Sequence, residues 1–223
     1  MDWFRYIDIY CERTAPGFWD EPLNAVSNAA FLIAAIAAAT EARRSPASRN
    51  DTPLIALIAL VAVIGVGSFA FHTFAQYWAL LADVIPISVF IYSYLGFALR
   101  RYLGLGWPLT LGLLALFIAA SLTLDQVVPS RVLYGSITYF PAVLALYGVA
   151  AALRSSGHPA ARAMLAGAVL LTVSVTFRTI DLPLCSVWPT GTHYVWHTLN
   201  GCLLFWLLHI AVKHARREDA AQA

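Results

Sequence analysis

Apolar residues fall in long runs separated by short breaks that hold most of the charges. A helix needs roughly 20 predominantly apolar residues to cross the hydrocarbon core of a bilayer. Seven runs approach that length: 23–40, 53–72, 78–98, 107–124, 133–153, 160–177 and 193–213. The expected class is therefore an all-α integral membrane protein, a seven-transmembrane helix bundle. Its layout reads as an N-terminal segment at 1–22, a transmembrane domain at 23–213 and a short tail at 214–223. The first 22 residues interleave charges with aromatics and lack the apolar core of a cleavable signal peptide, so the first span is expected to act as its own insertion signal.

Composition agrees with the pattern. Of 223 residues, 60% are hydrophobic and 12% charged, with a mean hydropathy of +0.71. Soluble domains carry about 25% charged residues, which excludes an ordinary soluble protein. The net charge of +2 and the scattered basic residues exclude a nucleic-acid partner.

The position of each charge sets an expected orientation. With seven spans, the loops after spans one, three and five share a side with the tail. They hold Arg43, Arg44, Arg49, Arg100, Arg101, Arg154, Arg162, Lys213, Arg216 and Arg217, ten of the 14 basic residues. Arg5, Arg13, Arg131 and Arg178 fall to the other side. The positive-inside rule then puts the N-terminus outside and the C-terminus in the cytoplasm. A single lysine, Lys213, and an Ala/Arg-rich tail point by composition to a high-GC bacterial gene. The expected location is a bacterial inner membrane, with the site toward the periplasm. Cys11 and Cys185 both fall on the outer side, where disulfides form, and are read either as a bridge or as two thiols. Cys202, within span seven, is read as a packing residue.

Ionisable groups inside spans are costly and mark function by default. Here they are His72, Asp83, Arg178, Asp181, His193, His197 and His209, and the topology places the first six at the outer ends of their helices. His193 and His197 stand four apart, on one helix face about a turn apart. His72 adds a third imidazole from another helix, and three histidines plus a water form the open coordination of catalytic zinc. Ser68 lies a turn from His72 on the same face, within reach of a substrate oxygen. Asp83 is the nearest carboxylate able to take or orient a proton. Read one at a time, each histidine is equally a hydrogen-bonding group between helices. His209 is read as facing lipid and His158 as solvated.

The run GSFAFHTFAQYWALLAD from Gly67 to Asp83, with THYVWH from Thr192 to His197, resembles the alkaline ceramidase family. Family spacing has a serine, a histidine four later, an aspartate eleven after that, and a late HxxxH. Ser68, His72, Asp83, His193 and His197 fit each interval. Glu21, Asn24, Ser27 and Asn28 match a family E-x-x-N-x-x-S-N pattern, and Asp181 and Cys185 match before the final span. The serine–histidine and HxxxH elements also resemble the broader superfamily that includes adiponectin and progestin receptors.

The resemblance implies zinc held by His72, His193 and His197, with Ser68 and Asp83 beside it, and a disulfide between Cys11 and Cys185. Eukaryotic members add a calcium site in the N-terminal segment. The corresponding stretch here is Ile9-Tyr10-Cys11-Glu12, which lacks the first acid, and Thr14 stands where an asparagine is expected. Asp8, Glu12, Asp20 and Glu21 are therefore either calcium ligands, since that ion takes six to eight oxygens, or a solvated acidic segment.

The expected function is an intramembrane zinc-dependent hydrolase. It would cleave the amide of ceramide, or of a related N-acyl lipid where ceramide is scarce, to a fatty acid and an amine. The alternatives are a receptor-like lipid-binding zinc protein without turnover, and a zinc hydrolase of another lipid bond. The expected partners are the lipid substrate and the bilayer; the sequence sets no oligomeric state. Trp78, Trp107, Trp188 and Trp196 are read as interface anchors, Gly65 and Gly67 as close-packing positions, and Pro86 as a kink in span three.

Overall fold

The computed structural model describes residues 2–129 and 131–214, so Arg216 and Arg217 of the tail lie outside the described residues. Seven helices among them are long and apolar enough to cross a membrane, and the chain is an integral multi-pass protein. Helices α1 (Pro22–Ser27) and α2 (Ala29–Arg44) join at Asn28 into the first span. There follow α3 (Thr52–Phe74), α4 (Tyr77–Arg101), α5 (Trp107–Val127), α6 (Phe140–Ser155), α7 (Ala161–Leu184) and α8 (His193–Lys213). Four of them, α1, α3, α5 and α6, carry proline in the first turn, where no intrahelical N–H is needed. Helix α8 is the most buried and lies between α2 and α7, while α3 packs along α4. Helix α5 faces outward, with Thr110 its buried residue.

Several elements differ from their sequence expectations. Helix α2 runs a turn past residue 40, ending on Arg43 and Arg44, whose charge suits the carbonyl end of a helix. The added turn carries Glu41 opposite His209, whose Nδ1 lies 2.8 Å from Glu41 Oε2. His209 is thus paired between helices rather than turned to lipid. Helix α7 continues to Leu184, so Asp181 is a buried helical residue. The stretch Val132–Tyr139 is a distorted 3-10 segment, with φ of 51° at Leu133, 51° at Tyr134 and 78° at Gly135; regular helix begins only at Phe140.

Pro86 leaves α4 a single helix from Tyr77 to Arg101. Having no N–H, it deprives the carbonyl of Ala82, four residues earlier, of its helical donor. That carbonyl is the atom on which Gly67 of α3 packs: a Cβ at Gly67 would overlap Ala82 O. Only glycine admits this approach, and it brings together the residues that follow each partner, Ser68 and Asp83. Gly65 lies against Phe31 and the Asn28 carbonyl, and Gly201 of α8 against Ala30. At the far end of the bundle Asp51 caps α3 through Leu54 N and accepts a two-pronged hydrogen bond from Arg101, at 2.6 and 3.1 Å.

Gly67→Ala should force α3 and α4 apart, at a cost of about 1–3 kcal/mol for overpacking. The expected result is a lower thermal midpoint in detergent; an unchanged midpoint would show that the helices do not meet so closely.

Candidate metal centre

The N-terminal segment folds back over one end of the bundle. Ile7 N donates to Ala75 O, and Tyr77 N and Trp78 N donate to Arg5 O and Trp3 O, pairing the segment with the α3–α4 turn. Cys11 and Cys185 form a disulfide, with Cα atoms 5.3 Å apart. Beneath it, the buried Asp181 carboxylate accepts from three backbone N–H groups: Cys11 at 3.0 Å, Thr192 at 2.6 Å and His193 at 3.0 Å. Thr192 makes no side-chain cap on α8, so Asp181 caps that helix from α7 and fixes where His193 begins it.

His72, His193 and His197 are all buried and offer nitrogens that lie within 4.8 Å of one another. Their ring centroids are 4.5 to 5.2 Å apart. His72 Nδ1 donates to Glu21 Oε2 at 2.6 Å, leaving its Nε2 buried without a partner. His197 Nδ1 lies 3.1 Å from Asn24 O and 2.8 Å from Ser27 Oγ; the carbonyl can only accept, so Nδ1 is the donor and Nε2 is free of that bond. His193 is stacked by Tyr10 at 3.6 Å, and its Nδ1 has no hydrogen-bond partner. Metal-ligating imidazoles characteristically hand their second N–H to a carboxylate or carbonyl, which orients the ring and sets its tautomer. Two of these three do so. The residues present therefore suit a divalent metal of zinc type.

Ser68 and Asp83, both buried, line a cavity together with His193 and His197, and Asp83 Oδ1 has no hydrogen-bond partner among the described residues. The cavity encloses about 1120 Å³ of atom-free space counted to its open mouth. It is polar at the histidine end, and its other walls are apolar, among them Phe90, Leu95, Val149 and Leu207. Trp196 is buried and forms part of this wall, with its ring 4.8 Å from that of Tyr139. It sits on the buried face of α8 beside His197 and so is not an interface anchor.

The four acids proposed for calcium do not converge: among the described residues only the histidine trio forms a cluster of three or more such ligands. Three of them, Glu12, Asp20 and Glu21, have another task. Glu12 accepts from Leu23 N and Asn24 N, both at 2.8 Å, and Asp20 from Thr14 N and Ala15 N. Burial raises the carboxyls of Asp8 and Glu12, which opposes ionisation, while the Ala15 N–H chiefly lowers that of Asp20. Burial also pushes Glu21 up, but hydrogen bonds from His72, Asn24 and Arg13 outweigh it and hold Glu21 below the usual range. Arg13 supplies positive charge in the same segment. Its buried guanidinium donates to Glu21, to Ala15 O and Gly17 O at 3.2 and 2.9 Å, and to His72 O at 2.9 Å.

A family model described as Ceramidase matches residues 10–222. The chain belongs to the ceramidase family. Family membership makes it a ceramide-hydrolysing membrane enzyme, and the match takes in the Cys11 region, the histidines and all seven spans. No curated protein matches the chain. Within this ceramidase, Glu21, Ser27 and Asn24 O prove to be the groups that orient His72 and His197. The E-x-x-N-x-x-S-N spacing held that signal, although it carried no role for them. Arg13 had no signal beyond its charge.

Arg13→Ala should destabilise the ceramidase by about 3–5 kcal/mol, the usual penalty for removing one partner of a buried ion pair. Lysine should not restore stability, because one ammonium cannot replace a planar fork that reaches four acceptors. Calcium should leave the wild-type thermal midpoint in detergent unmoved; a rise would contradict the role given to Arg13.

Proposed function

We propose that this ceramidase is a zinc-dependent amidohydrolase that cleaves ceramide or a related N-acyl lipid within the membrane. One observation carries the reading: three convergent imidazoles, two of them oriented by Glu21 and by Ser27 with Asn24 O, beside Ser68 and Asp83 at the polar end of an apolar cavity. His72, His193 and His197 would hold the zinc, which when bound polarises a carbonyl and makes water acidic enough to deprotonate near neutral pH.

The chain's own residues do the rest. The apolar walls take the acyl chain and exclude bulk water from the amide. Asp83, with an unpartnered oxygen facing this site, accepts the proton of the attacking water and returns it to the leaving amine. The Ser68 hydroxyl donates a hydrogen bond to the oxygen of the tetrahedral carbon, where negative charge develops. By the positive-inside rule this end of the bundle faces away from the cytoplasm. Residues 1–22 are then an extracytoplasmic cover on the site and 214–223 a cytoplasmic tail.

Fatty-acid release from ceramides and other N-acyl lipids, measured on purified protein in detergent, tests the reading. Asp83→Asn should lower turnover about 10²–10⁴-fold, the range for loss of a general acid–base group. His193→Ala should lose bound zinc and turnover together, and stoichiometric zinc retained by that variant would overturn the ligand set.

A further inference from the structure

One cation in the cavity has no task in this mechanism. Arg178 lines the cavity alongside Ser68, Asp83 and His193. It forms no ion pair among the described residues, where Arg13 has Glu21 and Arg101 has Asp51. Among the described residues its hydrogen bonds all go to neutral acceptors: Nη1 to Ser136 Oγ at 2.9 Å and to Tyr134 O at 3.3 Å, and Nη2 to the Tyr10 hydroxyl at 3.4 Å. A guanidinium has five N–H donors, so the Nε–H and one Nη2–H are left over among the described residues.

The position is built rather than incidental. Tyr134 O and Ser136 are presented by the distorted segment in which Leu133 and Tyr134, neither of them glycine, adopt positive φ. Strained backbone of this kind persists only where its surroundings enforce it. The guanidinium stands over the rings of Tyr139, at 5.3 Å, and Tyr10, at 5.9 Å. Tyr10 is itself stacked on His193. Arg178 is therefore one tyrosine ring away from the proposed metal ligands, at the polar end and away from the acyl-binding walls.

Charge accounting then decides what the site lacks. Glu21 is already matched by Arg13, and Asp83, the carboxylate that shares the cavity with Arg178, forms no ion pair with it. An unpaired cation at membrane depth is expensive, and planar guanidinium suits a carboxylate, phosphate or sulfonate through two parallel hydrogen bonds. We propose that Arg178 is a specificity-determining residue that binds an anionic group on the amine half of the substrate. The lipid class favoured is then an N-acyl lipid with an oxyanion near its amide. This rests on the hydrolase reading and deepens it.

The test uses a matched pair, N-palmitoyl taurine and N-palmitoyl ethanolamine, which share an acyl chain and differ in sulfonate against hydroxyl. N-palmitoyl glycine and ceramide 1-phosphate, set against ceramide, extend the comparison to carboxylate and phosphate. Wild type should show at least a tenfold higher kcat/KM for the anionic member of the pair. Arg178→Gln should lower kcat/KM for the anionic lipid at least tenfold more than for the neutral one, and Arg178→Lys should keep part of the preference. No preference in wild type, or an equal fall on both lipids in Arg178→Gln, would overturn the proposal while leaving the hydrolase intact. Equilibrium binding to Asp83→Asn separates the two readings: tighter binding of the acyl taurine, lost on adding Arg178→Gln, supports the anion site even if wild type releases no fatty acid. Palmitate bound as tightly, with the same dependence on Arg178, would assign the residue to the product carboxylate and overturn the head-group role.

Discussion

The geometry of this protein hangs on one carboxylate. Glu21 sits at the junction of the N-terminal segment and the first span; its Oε1 accepts from Arg13, and its Oε2 accepts from His72 at 2.6 Å and Asn24 at 3.0 Å. Buried charge is tolerable when its oxygens are hydrogen-bonded and a counter-charge is close, and both conditions hold here. The guanidinium that balances Glu21 also holds the His72 carbonyl, so the cation grips both the backbone of the histidine and the group that orients its ring. The loop, the first span and α3 are thus tied at one point, and a shift in any of them would turn the His72 imidazole.

The other two histidines are fixed by a second buried carboxylate. Asp181 gathers the N–H groups of Cys11, Thr192 and His193, so the start of α8 is set from α7 and from the N-terminal segment. With the helix start fixed, His197 follows one turn later and finds Asn24 O and Ser27 on the first span. Two carboxylates, each accepting from three donors, hold the cover over the site. The disulfide closes the same loop covalently across 174 residues. In entropic models it acts by restricting the unfolded chain, so it complements the hydrogen bonds rather than duplicating them.

The seven spans were legible because a helix in lipid must satisfy its own backbone and cover it with apolar side chains, which writes its length into the sequence. The site residues were legible where they share a helix or a helix end: His193 with His197, and Ser68 with His72. Their convergence with Asp83 also depended on Gly67, which was read as a packing glycine, and on Pro86, which was read as a kink. Their joint effect, a carbonyl freed by proline and approached by glycine, involves two helices and leaves no periodic signature. Arg13, Trp196 and the Glu41–His209 pair were misplaced or missed for the same reason. A residue's charge or size is visible in sequence, but its partner across the bundle is not.

The contrast between the buried Arg13 and the half-buried Arg178 shows how a structure separates a scaffold charge from a ligand-binding one. Arg13 is paired with a counter-charge: one carboxylate and three carbonyls take four of its five N–H donors. Arg178 is held by a hydroxyl, a carbonyl and a phenol, groups that orient a cation without neutralising it. Neutral acceptors set position at little electrostatic gain, and a fold that needed only stability would do as well with an apolar residue of similar volume. Keeping the charge oriented but without an ion-pair partner among the described residues, in the wall of the cavity and one ring from the histidines, makes physical sense where a further negative charge arrives with the substrate.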